Sequence, residues 1–136
     1  MARLAVRRLD LTARAVMVRL AAIALLDRRP LPAVLSALTP RSRWAAPRDV
    51  AEQVASSVER AFERLALLPD TCLYRALARY AVLRRAGHAA RFVMGLDPRS
   101  PDIVGHAWVE LDGEPVGETL APGLTITFAY PPARSS

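Results

Sequence analysis

Lysine is absent from these 136 residues, so the 19 basic side chains are all arginine and the net charge of +6 rests on guanidinium alone. Arginine and alanine in excess without lysine is what a GC-rich bacterial genome produces. Codon bias and solvated helix faces therefore come first as explanations, and a basic surface for an acidic peptide or partner comes second. Aromatic residues are scarce at 6%, and no basic-aromatic cluster or reading motif accompanies the charge, which argues against nucleic-acid binding. A single cysteine excludes an internal disulfide, and with only two histidines beside it the chain has poor material for zinc. No metal or cofactor is expected, and a reducing cytoplasm is the natural setting. Long hydrophobic runs are missing too. Residues 15–26 follow several arginines, but Arg19 interrupts them, the stretch is too short to span a bilayer, and no small-residue cleavage site follows Asp27-Arg28-Arg29-Pro30.

What remains is a globular composition, 52% hydrophobic and 24% charged, at a length that fits one domain. Eleven prolines imply short elements with many breaks. There is no internal repeat, and the chain divides near Pro69 into a helical first half (1–68), a helix with antiparallel strands (69–120) and an irregular tail (121–136). The first half predicts a helix over 12–27, stopped by Pro30-Leu31-Pro32, and a short second one over 33–38. A third runs from Arg48 or Asp49 to about Leu67, where Val50, Val54, Val58, Ala61, Phe62 and Leu65 recur every three or four residues.

Pro69-Asp70-Thr71 punctuates the chain, and Asp70 or Thr71 can cap the next helix, which Cys72 opens. Leu73, Leu77, Tyr80 and Leu83 give that helix an apolar stripe, Arg84 and Arg85 suit its negative end, and Gly87 is placed to terminate it. Strands are predicted over 90–96 and 104–111. Asp112-Gly113 signals a hairpin turn, and a third strand returns over 114–120.

A cysteine at a helix N-terminus sits where unpaired backbone N–H groups and the helix dipole favour the thiolate, and the same groups can hold an oxyanion. His106 is the candidate base and Glu118 the candidate acid that orients it. Register poses a difficulty. With a two-residue turn Ala107 pairs with Glu118, and His106 points to the opposite face, so the triad predicts a three-residue loop over 112–114. Glu110 and Asp112 compete as acids, the first as a solvent-facing charge and the second as a turn residue. His88 belongs to the turn after Gly87. Trp108 is a packing residue that could also wall a peptide cleft, and Met17 and Met94 fill the core. From residue types alone, a structural cysteine and histidine compete with a catalytic pair.

Three stretches resemble a known family: CLYRAL at 72–77, LRRAGHAARFVMG at 83–95 and HAWVELDGEPV at 106–116. Together they look like the stand-alone leader peptidase of lasso-peptide biosynthesis, a member of the transglutaminase-like superfamily. The resemblance covers roughly residues 70–119. It implies an α+β, transglutaminase-like or papain-like fold: an N-terminal helical subdomain and a central cysteine-bearing helix packed on a small antiparallel sheet. It also implies Cys72 as nucleophile, His106 as base, and an aspartate twelve residues after the histidine; that position here holds Glu118.

The resemblance further implies cleavage of a precursor peptide between leader and core, freeing the core amine for macrolactam formation. The implied partners are that precursor, a separate leader-recognition protein and the ATP-dependent macrolactam cyclase. Rival readings are an amide-transferring relative and a catalytically inactive peptide-binding module. A purely structural protein comes third.

Overall fold

The computed structural model describes residues 2–65, 71–101 and 105–132. Helix α1 (Ala2–Arg28) begins ten residues before the predicted start. No glycine or proline interrupts the first ten positions, and alanine, leucine and arginine there are good helix formers. Its buried residues Leu11, Ala15, Val18 and Ala22 follow the helical repeat along one face. Pro30 precedes α2 (Leu31–Leu38), whose first turn tolerates Pro32 because the N–H groups there have no intrahelical acceptor. Helix α3 (Arg48–Glu63) buries Val50, Val54, Val58 and Phe62 as expected. It ends earlier than predicted, and Ala61 and Leu65, assigned to the same stripe, are exposed. Residues 66–70 lie outside the described residues.

Helix α4 (Cys72–Arg85) is the centre of the fold. Every residue from Ala76 to Leu83 is buried, not one stripe alone, because α1, α2 and α3 cover one side and the sheet covers the other. Its C-terminus closes as the glycine predicts: Gly87 has φ +96°, and the His88 N–H donates to Leu83 O at 3.0 Å. Arg85 then bridges to α1, its Nε donating to Asp10 Oδ2 at 3.0 Å. Tyr80, fully buried, shares a 2.8 Å hydrogen bond with Thr39 Oγ1, which ties α4 to the end of α2.

The sheet is antiparallel, in the order β3-β2-β1-β4, with β1 Arg91–Leu96, β2 Gly105–Leu111, β3 Glu114–Pro115 and β4 Thr125–Tyr130. Ala107, Val109 and Leu111 alternate along β2 into the core shared with α4. Two expectations fail here. The third strand stops at Pro115 and does not reach 120. The tail is not irregular, since Thr125–Tyr130 pairs with β1 as an edge strand, with a bulge opposite Met94/Gly95. The architecture is otherwise the α+β class expected, with four helices on a small antiparallel sheet among the described residues. Among the described residues, no helix is long and apolar enough to cross a membrane.

Candidate active site

Cys72 is the first residue of α4, half-buried, and Thr71 before it is extended (φ −99°, ψ 166°). Thr71 makes no side-chain cap, so the capping role expected of it is not filled, and Asp70 lies outside the described residues. The first-turn N–H groups of Cys72, Leu73 and Tyr74 have no acceptor within the helix. The helix ladder starts one residue later, where the Arg75 N–H donates to Thr71 O at 3.2 Å.

His106 is the second residue of β2, and its Nε2 is hydrogen-bonded to Glu118 Oε1. The neighbour on its own strand face, Trp108, stacks against the imidazole with centroids 5.7 Å apart and planes 21° from parallel. Gly95, opposite His106 in the β1–β2 register, leaves the space this stack needs. A Cβ at Gly95 would stand 2.9 Å from Trp108 Cη2 and 2.9 Å from Thr125 O.

The His106–Glu118 contact does not arise as the sequence predicted. The turn is the tight two-residue one: Leu111 pairs with Glu114, and Asp112 and Gly113 take φ values of +53° and +79°, the left-handed pair of a type I′ hairpin. No extra residue enters it. The ladder instead ends with the Val116 N–H donating to Val109 O at 2.8 Å, and Gly117, at φ +74°, turns the chain out of the strand. Glu118 thus escapes the wrong-face position opposite Ala107 by leaving the sheet.

Cys72, His106 and Glu118 all line one cleft of about 220 Å³. Its lining also includes Arg79, Glu59 and Gly117, none of which the sequence singled out as a site residue. Arg79 is only 8% exposed. Its Nη1 donates to Val116 O at 2.7 Å and its Nη2 pairs with Glu59 Oε1 at 2.5 Å. Burial raises the Glu59 carboxyl above its ordinary value, opposed by the charges of Arg79, Arg75 and Arg19. A signal for Arg79 was present: at seven residues after Cys72 it shares that residue's helix face, inside an otherwise apolar stretch.

Other assignments resolve residue by residue. Asp112 serves the turn. Glu110 sits in the ladder opposite Arg91 and Pro115. His88 Nε2 lies 2.9 Å from Ala46 O and tethers the loop before α3 to the end of α4. Trp108 is 2% exposed, a packed wall. Met94 packs against the core, but Met17 does not: it is 68% exposed on the outer face of α1. Among the described residues, no group of three or more histidine, cysteine, aspartate or glutamate side chains could hold a metal ion.

Comparison with curated proteins and with solved structures gives no match. The sequence profile of the transglutaminase-like superfamily, which includes cysteine peptidases, matches residues 12–129, from within α1 nearly to the end of β4. That span takes in the cysteine-bearing helix and all of the sheet but Tyr130, and the chain belongs to the transglutaminase-like superfamily.

Proposed function

We propose that this chain is a cysteine peptidase that removes the leader from a ribosomally made lasso-peptide precursor, with Cys72 as nucleophile, His106 as base and Glu118 as the orienting acid. The observation that carries this reading is the sharing of one cleft by a helix-N-terminal cysteine and a hydrogen-bonded His–Glu pair.

Because Nε2 of His106 faces a carboxylate, the neutral imidazole keeps its proton there and has Nδ1 free to accept another. In the proposed reaction Nδ1 takes the Cys72 thiol proton, and the thiolate adds to the scissile carbonyl carbon. The uncapped first turn of α4 offers the Cys72 N–H to the developing oxyanion. Collapse breaks the C–N bond, His106 returns its proton to the departing amine, and a thioester remains. Water, deprotonated by His106, then attacks the thioester and releases the leader carboxylate and the free thiol. The products are a leader acid and a core with a free α-amine, the nucleophile a macrolactam cyclase requires.

The leader-peptidase role is supported by the three sequence stretches at 72–77, 83–95 and 106–116. A separate recognition protein is part of the proposal. Val6, Leu9, Met17 and Leu20 form an exposed apolar stripe on α1, away from the cleft lining, on which such a partner could sit.

The test is mass spectrometry of a cognate precursor incubated with this protein and the recognition partner. The expected result is one cut between leader and core, with the two products together heavier than the precursor by one water, and no cut with Cys72→Ala. A precursor bound but left intact by the wild type would instead make the chain a binding module. A product that has lost ammonia would make it an amide transferase.

A further inference from the structure

Glu118 reaches His106 only because the chain leaves the hairpin between Val116 and Gly117, and one buried side chain holds that departure point. Arg79 projects from α4 and donates to Val116 O at 2.7 Å, while Gly117 lies directly on its guanidinium. A Cβ at Gly117 would overlap Arg79 Nη1, so a larger residue would have to push the guanidinium aside, and φ +74° favours glycine for the same position. On its far side the guanidinium pairs with Glu59 of α3. The fork thus joins three segments, α3, α4 and the exit from β3.

We propose that Arg79 is a positioning residue: by anchoring Val116 O and packing under Gly117, it bends the chain so that the Glu118 carboxylate seats on His106 Nε2. This rests on the peptidase reading for its consequence in catalysis, although the placement itself does not depend on it. A buried ion pair is weak evidence for stability, since desolvation offsets most of the attraction. What a guanidinium supplies here is direction. Its planar, rigid fork holds one N–H on Val116 O while setting its charge against Glu59 on a different element, and the single nitrogen of a lysine cannot keep both in the same geometry.

Two variants test the placement while keeping Glu59 opposite a cation. Arg79→Lys retains the charge, and Gly117→Ala forces the guanidinium and the bend apart from the other side. The readout independent of turnover is the ¹⁵N imidazole spectrum of His106, assigned by its loss in His106→Ala; only two histidines are present. In the wild type the neutral ring holds its proton on Nε2. Both variants, provided their circular dichroism remains native, are expected to show mixed tautomers like those of Glu118→Ala.

With precursor, kcat is expected to fall about 10- to 100-fold, as for an ångström-scale misplacement. Arg79→Lys combined with Glu118→Ala should fall no further than Glu118→Ala alone. A folded Arg79→Lys with the wild-type tautomer and unchanged kcat would overturn the proposal, as would fully additive losses in the double variant. If wild type and Cys72→Ala behave alike toward the precursor, the peptidase reading fails by itself, and the tautomer comparison still decides whether Arg79 positions Glu118.

Discussion

Glu118 Oε1 meets His106 Nε2 from a segment that has already left the sheet, twelve residues downstream in sequence and beyond a left-handed glycine. The length of the acid and the path of the chain are therefore matched to one another. The resemblance calls for aspartate at this position, yet the exit at Gly117 is set by the contact of Arg79 with Val116 O, which does not move when the side chain shortens by one methylene. Glu118→Asp is accordingly expected to lower kcat/KM for precursor cleavage by roughly tenfold, about 1.4 kcal/mol of transition-state stabilisation. His106→Ala, which removes the base itself, should cost more, about 10²- to 10⁴-fold. A faster Glu118→Asp enzyme would mean that the cleft is shaped for aspartate and that the observed pairing is not the productive one.

Gly95 makes a second prediction because its missing side chain is occupied from both directions. A methyl group there meets a backbone oxygen, Thr125 O, and the Trp108 ring at 2.9 Å each, closer than real contacts allow. The backbone can give little, so the indole must shift, and the imidazole stacked on it shifts too. Overpacking of this kind costs about 1–3 kcal/mol. Gly95→Ala should therefore lower the thermal midpoint by several degrees, change the near-ultraviolet circular dichroism of Trp108, and reduce kcat more than it raises KM. A variant with wild-type melting and spectrum would show that β4 can move aside instead.

The parts of this fold that could be read from the sequence are those fixed by local rules. Val50, Val54, Val58 and Phe62 repeat at helical spacing, Gly87 ends α4 in the left-handed region, and Asp112-Gly113 marks a hairpin turn, though not the three-residue loop expected of it. The start of α1 was harder to read because its buried anchors begin only at Leu11, so the first ten residues carry no periodic signal. Strand β4 lies at the sheet edge with its first three residues exposed, and prolines on both sides made it look irregular. The geometry of the candidate site was the least legible. Which face Glu118 takes depends on Arg79 and Val116, 37 residues apart, and no local pattern encodes a contact of that kind. Cys72 and His106 could be singled out by type and motif, whereas the manner of their support could not.

The pairing of Tyr80 with Thr39 gives a prediction about the core. Thr39 Oγ1 donates to Leu35 O at 2.8 Å, which commits its single proton, so it accepts from the Tyr80 hydroxyl. Tyr80→Phe removes that donor but leaves Thr39 bonded to Leu35. The expected loss is about 0.5–1.5 kcal/mol in urea unfolding, the net value of one such bond. Thr39→Val should cost more, because it leaves the fully buried tyrosine hydroxyl without its acceptor and removes the Leu35 bond as well. Equal losses from the two variants would mean that water replaces the missing partner.

Glu59 links the cleft to stability through pH. Burial is the largest influence on its carboxyl and raises the folded-state pKa above the ordinary 4.5, and the nearby charges of Arg79, Arg75 and Arg19 oppose that shift without cancelling it. In the window from 4.5 up to the raised value, the folded protein binds more protons at this group than the unfolded chain does. Stability contributed by the group is then fully present below the window, falls as pH rises through it and levels off above. Glu59→Gln has no proton to exchange, so the wild-type-minus-variant difference carries this group's whole pH dependence, including the ion pair with Arg79, which forms only as the carboxyl ionises. Urea unfolding of both proteins across mildly acidic pH should therefore give a wild-type-minus-variant difference that declines with rising pH, with the slope confined to the region just above 4.5. A difference that grows with pH there would show that the surrounding guanidinium charge outweighs burial, and that the Arg79–Glu59 pair holds its carboxylate ionised beneath the cleft.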